Sequence, residues 1–238
     1  MSSPVLGIMG AMDVEVAALR DTITEPRVKT VFGCDVVTGS LDGHPVLLAK
    51  SGVGKVNAAL TTAAMAQAGA GCLVFVGVAG AIVPNVKMGD AVIATELIQH
   101  DVDISTFGHP LGVIDGQPAG GTPDKALADR LVRACRAIGV EPAQGVIASG
   151  DQFISSPERA AAIASQFGAI AVEMEGAAVA QVCRRIGLPF AVLRWISDTA
   201  DGQATADFPV FARQVADLDL EVIRTFLART RAIQRQAI

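Results

Sequence analysis

Apolar, β-branched runs alternate with helical periodicity along the whole 238-residue chain, and this alternation constrains the fold more than any other feature. Strands joined through helices run largely parallel, and their helices cover both faces of the sheet. Strand-like runs fall at 5–10, 29–40, 45–50, 73–76, 91–97, 144–149, 169–172 and 190–196. Helical patterns fall at 13–23, 55–68, 125–137, 157–167, 175–186 and 208–233. The expected architecture is one α/β domain over residues 1–238. It has three layers, α/β/α, around a central mixed, mostly parallel twisted sheet. Leu41-Asp42-Gly43 is a hairpin signal between the second and third runs. The helix at 55–68 is so rich in alanine that it reads as buried on most sides, and Ser156 reads as an N-cap. Residues 100–122 carry Gly or Pro at seven positions and read as a long ordered loop, a common place for function. The arginines at 224, 229, 231 and 235 read as a solvated face near the end of the last helix.

Composition narrows the class further. With 51% hydrophobic and 18% charged residues, the chain is not disordered. A net charge of −5 argues against a general nucleic-acid binder. The longest apolar stretch, 72–83, is too short to span a bilayer, and Asp13 and Glu15 interrupt any leader-like run at the N-terminus. No membrane association is expected. Cys34, Cys72, Cys135 and Cys183 are scattered without a CxxC, which reads as reduced thiols in a cytoplasmic protein. Only His44, His100 and His109 exist, none at ligand spacing, so neither a metal nor a cofactor is expected.

Sites in such sheets form at the carboxyl ends of strands, so acidic residues there come first. Glu15 follows the first strand, either as a first-turn acid favoured by the helix dipole or as a functional group. Glu173 and Glu175 flank Met174 where an apolar strand becomes a helix; one could serve the helix N-terminus, or both could serve chemistry. Asp198 ends the last strand, as a turn former or as an acid. The run Ser51-Gly52-Val53-Gly54-Lys55 lacks the GxxxxGK[ST] spacing of a triphosphate loop. The segment Val76-Gly77-Val78-Ala79-Gly80-Ala81 allows close backbone approach and says little more.

Five motifs carry a resemblance: GIMGAMDVE at 7–15, KSGVGKV at 50–56, SGDQFI at 149–154, VEME at 172–175 and RWISD at 194–198. In this order and at these intervals the chain resembles the 5′-methylthioadenosine/S-adenosylhomocysteine nucleosidases of the nucleoside phosphorylase superfamily, over about residues 5–230. The resemblance implies a nucleoside phosphorylase-like fold and hydrolysis of an N-glycosidic bond, giving adenine and a 5-thioribose product. It implies that Glu15 activates the attacking water. Asp198, held by Ser197, protonates the purine at N7, and Glu175 binds the ribose hydroxyls with Met174 against the sugar. Phe153 and Ile154 fall on residues beside the base, and Met12, Val53, Val78 and Glu173 fall at the pocket. The loop 100–118, with Phe107 and His109, corresponds to one that a neighbouring subunit contributes, so the resemblance implies a homodimer. Three positions depart from the family pattern. Val78 stands where a small hydroxyl residue is usual, His109 for a Tyr and Asp115 for a Pro.

Two carboxylates and a proton donor suit this chemistry, as in glycoside hydrolysis. The alternatives are a nucleosidase for another purine nucleoside, futalosine included, a purine nucleoside phosphorylase, and a non-catalytic purine binder. Superfamily phosphorylases hold phosphate with arginines, one at the position of Phe75, and the loop at 10–15 has none. A phosphate there is expected to face Glu15 without a counter-charge.

Overall fold

The computed structural model describes residues 4–199 and 208–236, with side chains at 4–199 and 211–228. In chain order the elements are β1 (Leu6–Gly10), α1 (Asp13–Thr22), β2 (Thr24–Val31), β3 (Cys34–Leu41), β4 (His44–Lys50), α2 (Lys55–Ala68), β5 (Cys72–Phe75), β6 (Val78–Ala81) and β7 (Ala91–Gln99). There follow β8 (Val113–Ile114), β9 (Gln117–Pro118), β10 (Gly120–Gly121), α3 (Lys125–Ala137), β11 (Ala143–Ser149), α4 (Pro157–Phe167), β12 (Ala169–Glu173), α5 (Gly176–Ile186), β13 (Phe190–Asp198) and α6 (Phe208–Gln236).

The main sheet has the order β10-β7-β11-β12-β6-β13-β5-β1-β4-β3-β2. The ladders β4–β1, β1–β5, β5–β13, β13–β6, β11–β12 and β11–β7 are parallel. Strand β1, LGIMG, is buried at every residue, as a parallel strand covered on both faces must be. On one face α2 packs against α5; on the other α1 and α3 pack against α6. The core divides accordingly. Ala58, Met65, Val179 and Cys183 lie in one cluster, and Leu19, Leu131, Val222 and Phe226 in the other. This is the expected three-layer, mostly parallel arrangement, with one addition. Strand β7 also pairs antiparallel with β13, Leu193 opposite Ile93, so half of the sheet closes on itself.

Local chemistry explains the element ends. Asp124 accepts the N–H of Leu127 at 2.9 Å to cap α3, and Ser156 accepts that of Arg159 at 3.3 Å to cap α4. Three expectations need correction. The run 29–40 is two strands, β2 and β3, because Phe32 and Gly33 turn the chain with φ of 53° and 78°. Val78–Ala81, read only as a glycine segment, forms β6. Helix α2 is not buried on most sides: Val56 is 77% exposed and Leu60 lies one turn further along the same open face. The loop at 100–122 contains a 3-10 turn at Ser105–Phe107 and the small β8–β9 hairpin, and it closes onto the sheet through β10. Arg224 pairs with Asp42 at 3.1 Å on the surface; the side chains of Arg229, Arg231 and Arg235 lie outside the described residues. Among the described residues no helix is long and apolar enough to cross a membrane.

Candidate active site

The carboxyl ends of β1, β12 and β13 meet at a mostly apolar cavity of about 300 Å³. Its wall includes Met12, Glu15, Val53, Val78, Phe153, Ile154, Glu173, Met174, Glu175, Ser197 and Asp198. Eleven of the thirteen residues singled out from sequence therefore converge on one concave surface. Phe107 and His109 do not line this cavity; both are exposed, Phe107 at 81%. The wall is completed by Ala11, Ala79, Gly80, Gln152 and Val172.

Glu15 sits in the first turn of α1, yet on its core-facing side with Val16 and Leu19, and is 2% exposed. Its Oε2 accepts the N–H of Ala11 at 2.7 Å and of Met12 at 2.8 Å; its Oε1 accepts that of Val78 at 3.1 Å. Burial pushes this carboxyl above the usual range, and Arg194 and the three backbone donors oppose the rise. Gly77, at φ 144°, makes this approach possible. A Cβ there would stand 2.5 Å from Glu15 Oε1 and 3.2 Å from Arg194 Nη1.

Glu173 and Glu175, two residues apart, do different work. The Glu173 carboxylate accepts the N–H of Gly176 (2.8 Å to Oε2) and of Glu175 (3.2 Å), so it caps α5. It also accepts the hydroxyl of Ser149 and pairs with Arg194 Nη2 at 2.7 Å. That carboxylate lines the cavity but is spent within the protein. Glu175 faces the cavity with a single backbone partner, the N–H of Gly54 at 2.7 Å. Burial first, then the neighbouring Glu173, raise its pKa to about 7, against Arg194 and the Gly54 donor. At the end of β13, Ser197 Oγ donates to Asp198 Oδ1 at 2.7 Å, and Asp198 is partly exposed on the cavity wall.

Arg194 was not among the expected site residues, and it corrects the electrostatic argument. It is 1% exposed, stacked with its guanidinium carbon 3.9 Å from the Phe75 ring centroid, and its charge acts on Glu15, Glu173 and Glu175 together. Glu15 therefore does have a counter-charge. That cation is nonetheless committed to Glu173 and to the Phe75 face, and it does not line the cavity. The signal is an arginine inside the otherwise apolar run FAVLRWI. Behind it, Trp195 Nε1 donates to the buried Asp219 at 2.8 Å. Among the described residues Asp219 Oδ2 has no hydrogen-bond partner, and burial raises this carboxyl well above its ordinary range.

Comparison with known proteins identifies the family. The family model described as Phosphorylase superfamily matches residues 5–228. A 5′-methylthioadenosine/S-adenosylhomocysteine nucleosidase of Geobacillus thermodenitrificans is 38% identical over 232 residues, covering 96% of this chain and 98% of that one. A Helicobacter pylori MTAN mutant, solved with 5′-methylthioadenosine in the active site, superposes with a TM-score of 0.90 at 36% identity, over 96% of this chain and all of that one. A structure described as futalosine hydrolase of Helicobacter pylori superposes with a TM-score of 0.89, also at 36% identity, over 95% and 98% of the two chains. The chain belongs to the phosphorylase superfamily, among its 5′-methylthioadenosine/S-adenosylhomocysteine nucleosidases.

Proposed function

We propose that this chain hydrolyses the N-glycosidic bond of 5′-methylthioadenosine and S-adenosylhomocysteine, releasing adenine and the 5-thioribose sugar. The observation that carries the reading is the convergence of Glu15, Glu175 and Asp198 on one cavity in three different electrostatic settings. Glu15, lifted by burial and with acceptor capacity left on Oε1, takes a proton from water as its oxygen attacks the anomeric carbon. Asp198 gives its proton to the purine N7, so the electron pair of the breaking C–N bond leaves on neutral adenine. Exchange with solvent returns the proton from Glu15 to Asp198, and the net reaction consumes one water. Glu175 accepts the ribose hydroxyls and offsets the cationic sugar of the transition state. Phe153 and Ile154 wall the base, Met12, Val53, Val78 and Met174 the sugar and its substituent, and Glu173 holds Arg194 and α5 in place.

The same reading makes the molecule a homodimer at work in the cytoplasm. Phe107 on the 100–118 loop is exposed, as are Val56 and Leu60 along α2, and a second copy would cover such apolar side chains. The four cysteines are free thiols, as a reducing compartment requires. Futalosine is the second substrate to assay, given the similarity to the Helicobacter pylori hydrolase. The deciding experiment is adenine release from methylthioadenosine by the wild type and by Asp198→Asn. Loss of 10²–10⁴-fold in turnover, typical of a general acid, is expected, with the melting temperature nearly unchanged. A variant keeping half of the wild-type rate removes Asp198 from the mechanism.

A further inference from the structure

The nucleoside cavity is walled in part by two loop segments that belong to different halves of the sheet. One is the turn 51–55 after β4, which brings Val53 to the wall and the Gly54 N–H to Glu175. The other is the segment 150–154 after β11, which brings Gln152, Phe153 and Ile154. Neither is part of a strand or helix beyond its terminal residue, so regular hydrogen bonding does not fix one against the other.

A polar cluster behind them does. Asp101, just past the end of β7, takes Lys55 Nζ on Oδ1 at 2.7 Å and the backbone N–H of Asp151 on Oδ2 at 3.0 Å. Asp151 Oδ1 in turn accepts the N–H of Lys55 at 2.8 Å. Lys55 Nζ also reaches Gln99 Oε1 at 3.0 Å, and Gln99 Nε2 donates to Gln181 Oε1 on α5 at 2.7 Å. The ion pair is well shielded, each side chain being 17% exposed, so solvent screens it less than a surface pair. Against the upward pull of burial, Lys55 and the Asp151 N–H hold Asp101 below the ordinary carboxylate range. Gly150 packs against this cluster, where a Cβ would fall 2.4 Å from His100 Nε2 and 3.2 Å from Asp101 Cγ.

We propose that Asp101 is a positioning residue for nucleoside binding, which with Lys55 clamps the segments 51–55 and 150–154 in register around the ligand. The proposal rests on the nucleoside reading of the cavity. Asp101 does not line the cavity, so it acts through Gly54 and through the 152–154 wall. Its loss therefore weakens ground-state and transition-state binding alike, raising KM more than it lowers kcat.

The test uses Asp101→Asn and Lys55→Met, singly and together, in the full-length chain. Each single variant is expected to raise KM for methylthioadenosine and weaken adenine binding at least fivefold, with kcat within about twofold of wild type. The double variant is expected to be no worse than the more damaged single one, because both changes break one pair. Hydrogen exchange of peptides covering 51–55 and 150–154 should quicken in all three, while peptides from β1 stay unchanged. Unaltered exchange in those two segments, or a fall in kcat at unchanged KM, overturns the clamp. A wild type that releases no adenine sinks the substrate reading instead, and the exchange measurement then still decides whether Asp101 holds the two segments.

Discussion

Arg194→Met is the perturbation that separates a buried charge network from a merely well-packed one. The Arg194–Glu173 pair is 2.7 Å long and its side chains are only 2% and 3% exposed. Removing one partner of such a pair strands the other charge and costs about 3–5 kcal/mol. Losing the guanidinium stacked on Phe75 adds about 1 kcal/mol. Arg194 Nε, buried with no hydrogen-bond partner among the described residues, disappears at the same time, which offsets about 1–2 kcal/mol. The net loss is about 2–5 kcal/mol; in a chain of this size each kcal/mol shifts the melting temperature by about 2–4 °C, so the drop is about 4–20 °C. The sign of its pH dependence follows from Arg194 opposing the rise of both Glu15 and Glu175. Without it their folded-state pKa values climb further above the unfolded ones. Stability held by the protonated acids is then complete below the unfolded value of 4.5 and is lost as pH rises through the folded value, which for Glu175 is already about 7 in the wild type. The deficit against wild type should therefore grow from pH 5.5 to pH 8.5, measured by thermal melts followed by circular dichroism. An equal drop at both pH values, or no drop, refutes the reasoning.

Glu15→Gln should lose at least 10²-fold in kcat, since the amide cannot take a proton from water, while adenine still binds; normal turnover at saturation with weakened affinity would make Glu15 a binding residue instead. Light scattering at assay concentration should give twice the chain mass, and Phe107→Ala should reduce kcat/KM at least tenfold if that side chain completes the partner's pocket; a fully active monomer rules out the shared site.

Much of this was legible in the sequence because parallel sheets bury strands on both faces, and runs such as Phe190–Ile196 can be little else. Of the thirteen residues named from the acidic strand ends and the family resemblance, eleven line one cavity. What escaped detection has local causes. The turn at Phe32-Gly33 lacks the Asn-Gly or Asp-Gly that marks such hairpins, and Phe32 adopts a positive φ that aromatic residues rarely take. Strand β6 is four small residues long and gives no periodicity to read. Position alone leaves Glu15 as either a helix-dipole acid or a functional group, and its burial is legible only in the four-residue spacing of Glu15, Leu19 and Ile23, which all face the core. Asp219 likewise interrupts the buried stripe Val215, Val222, Phe226 of α6. The division of labour between Glu173 and Glu175 depends on Ser149, Gly54 and Arg194, all distant in sequence, and no local pattern encodes it.

Hydrolysis rather than phosphorolysis is the central claim, and it turns on whether a phosphate dianion finds a cation in the cavity. The guanidinium nearest Glu15 is bound to Glu173, and Phe75 stands where phosphorylases of the superfamily place an arginine. A phosphate beside Glu15 would thus meet a carboxylate in a partly buried site, at a cost of roughly several kcal/mol. The most direct measurement follows methylthioadenosine cleavage in phosphate-free buffer and again with added phosphate, with the sugar product read by phosphorus NMR. Equal rates, free methylthioribose and no sugar 1-phosphate are expected in either buffer; a rate that vanishes without phosphate, or detection of that ester, would contradict hydrolysis.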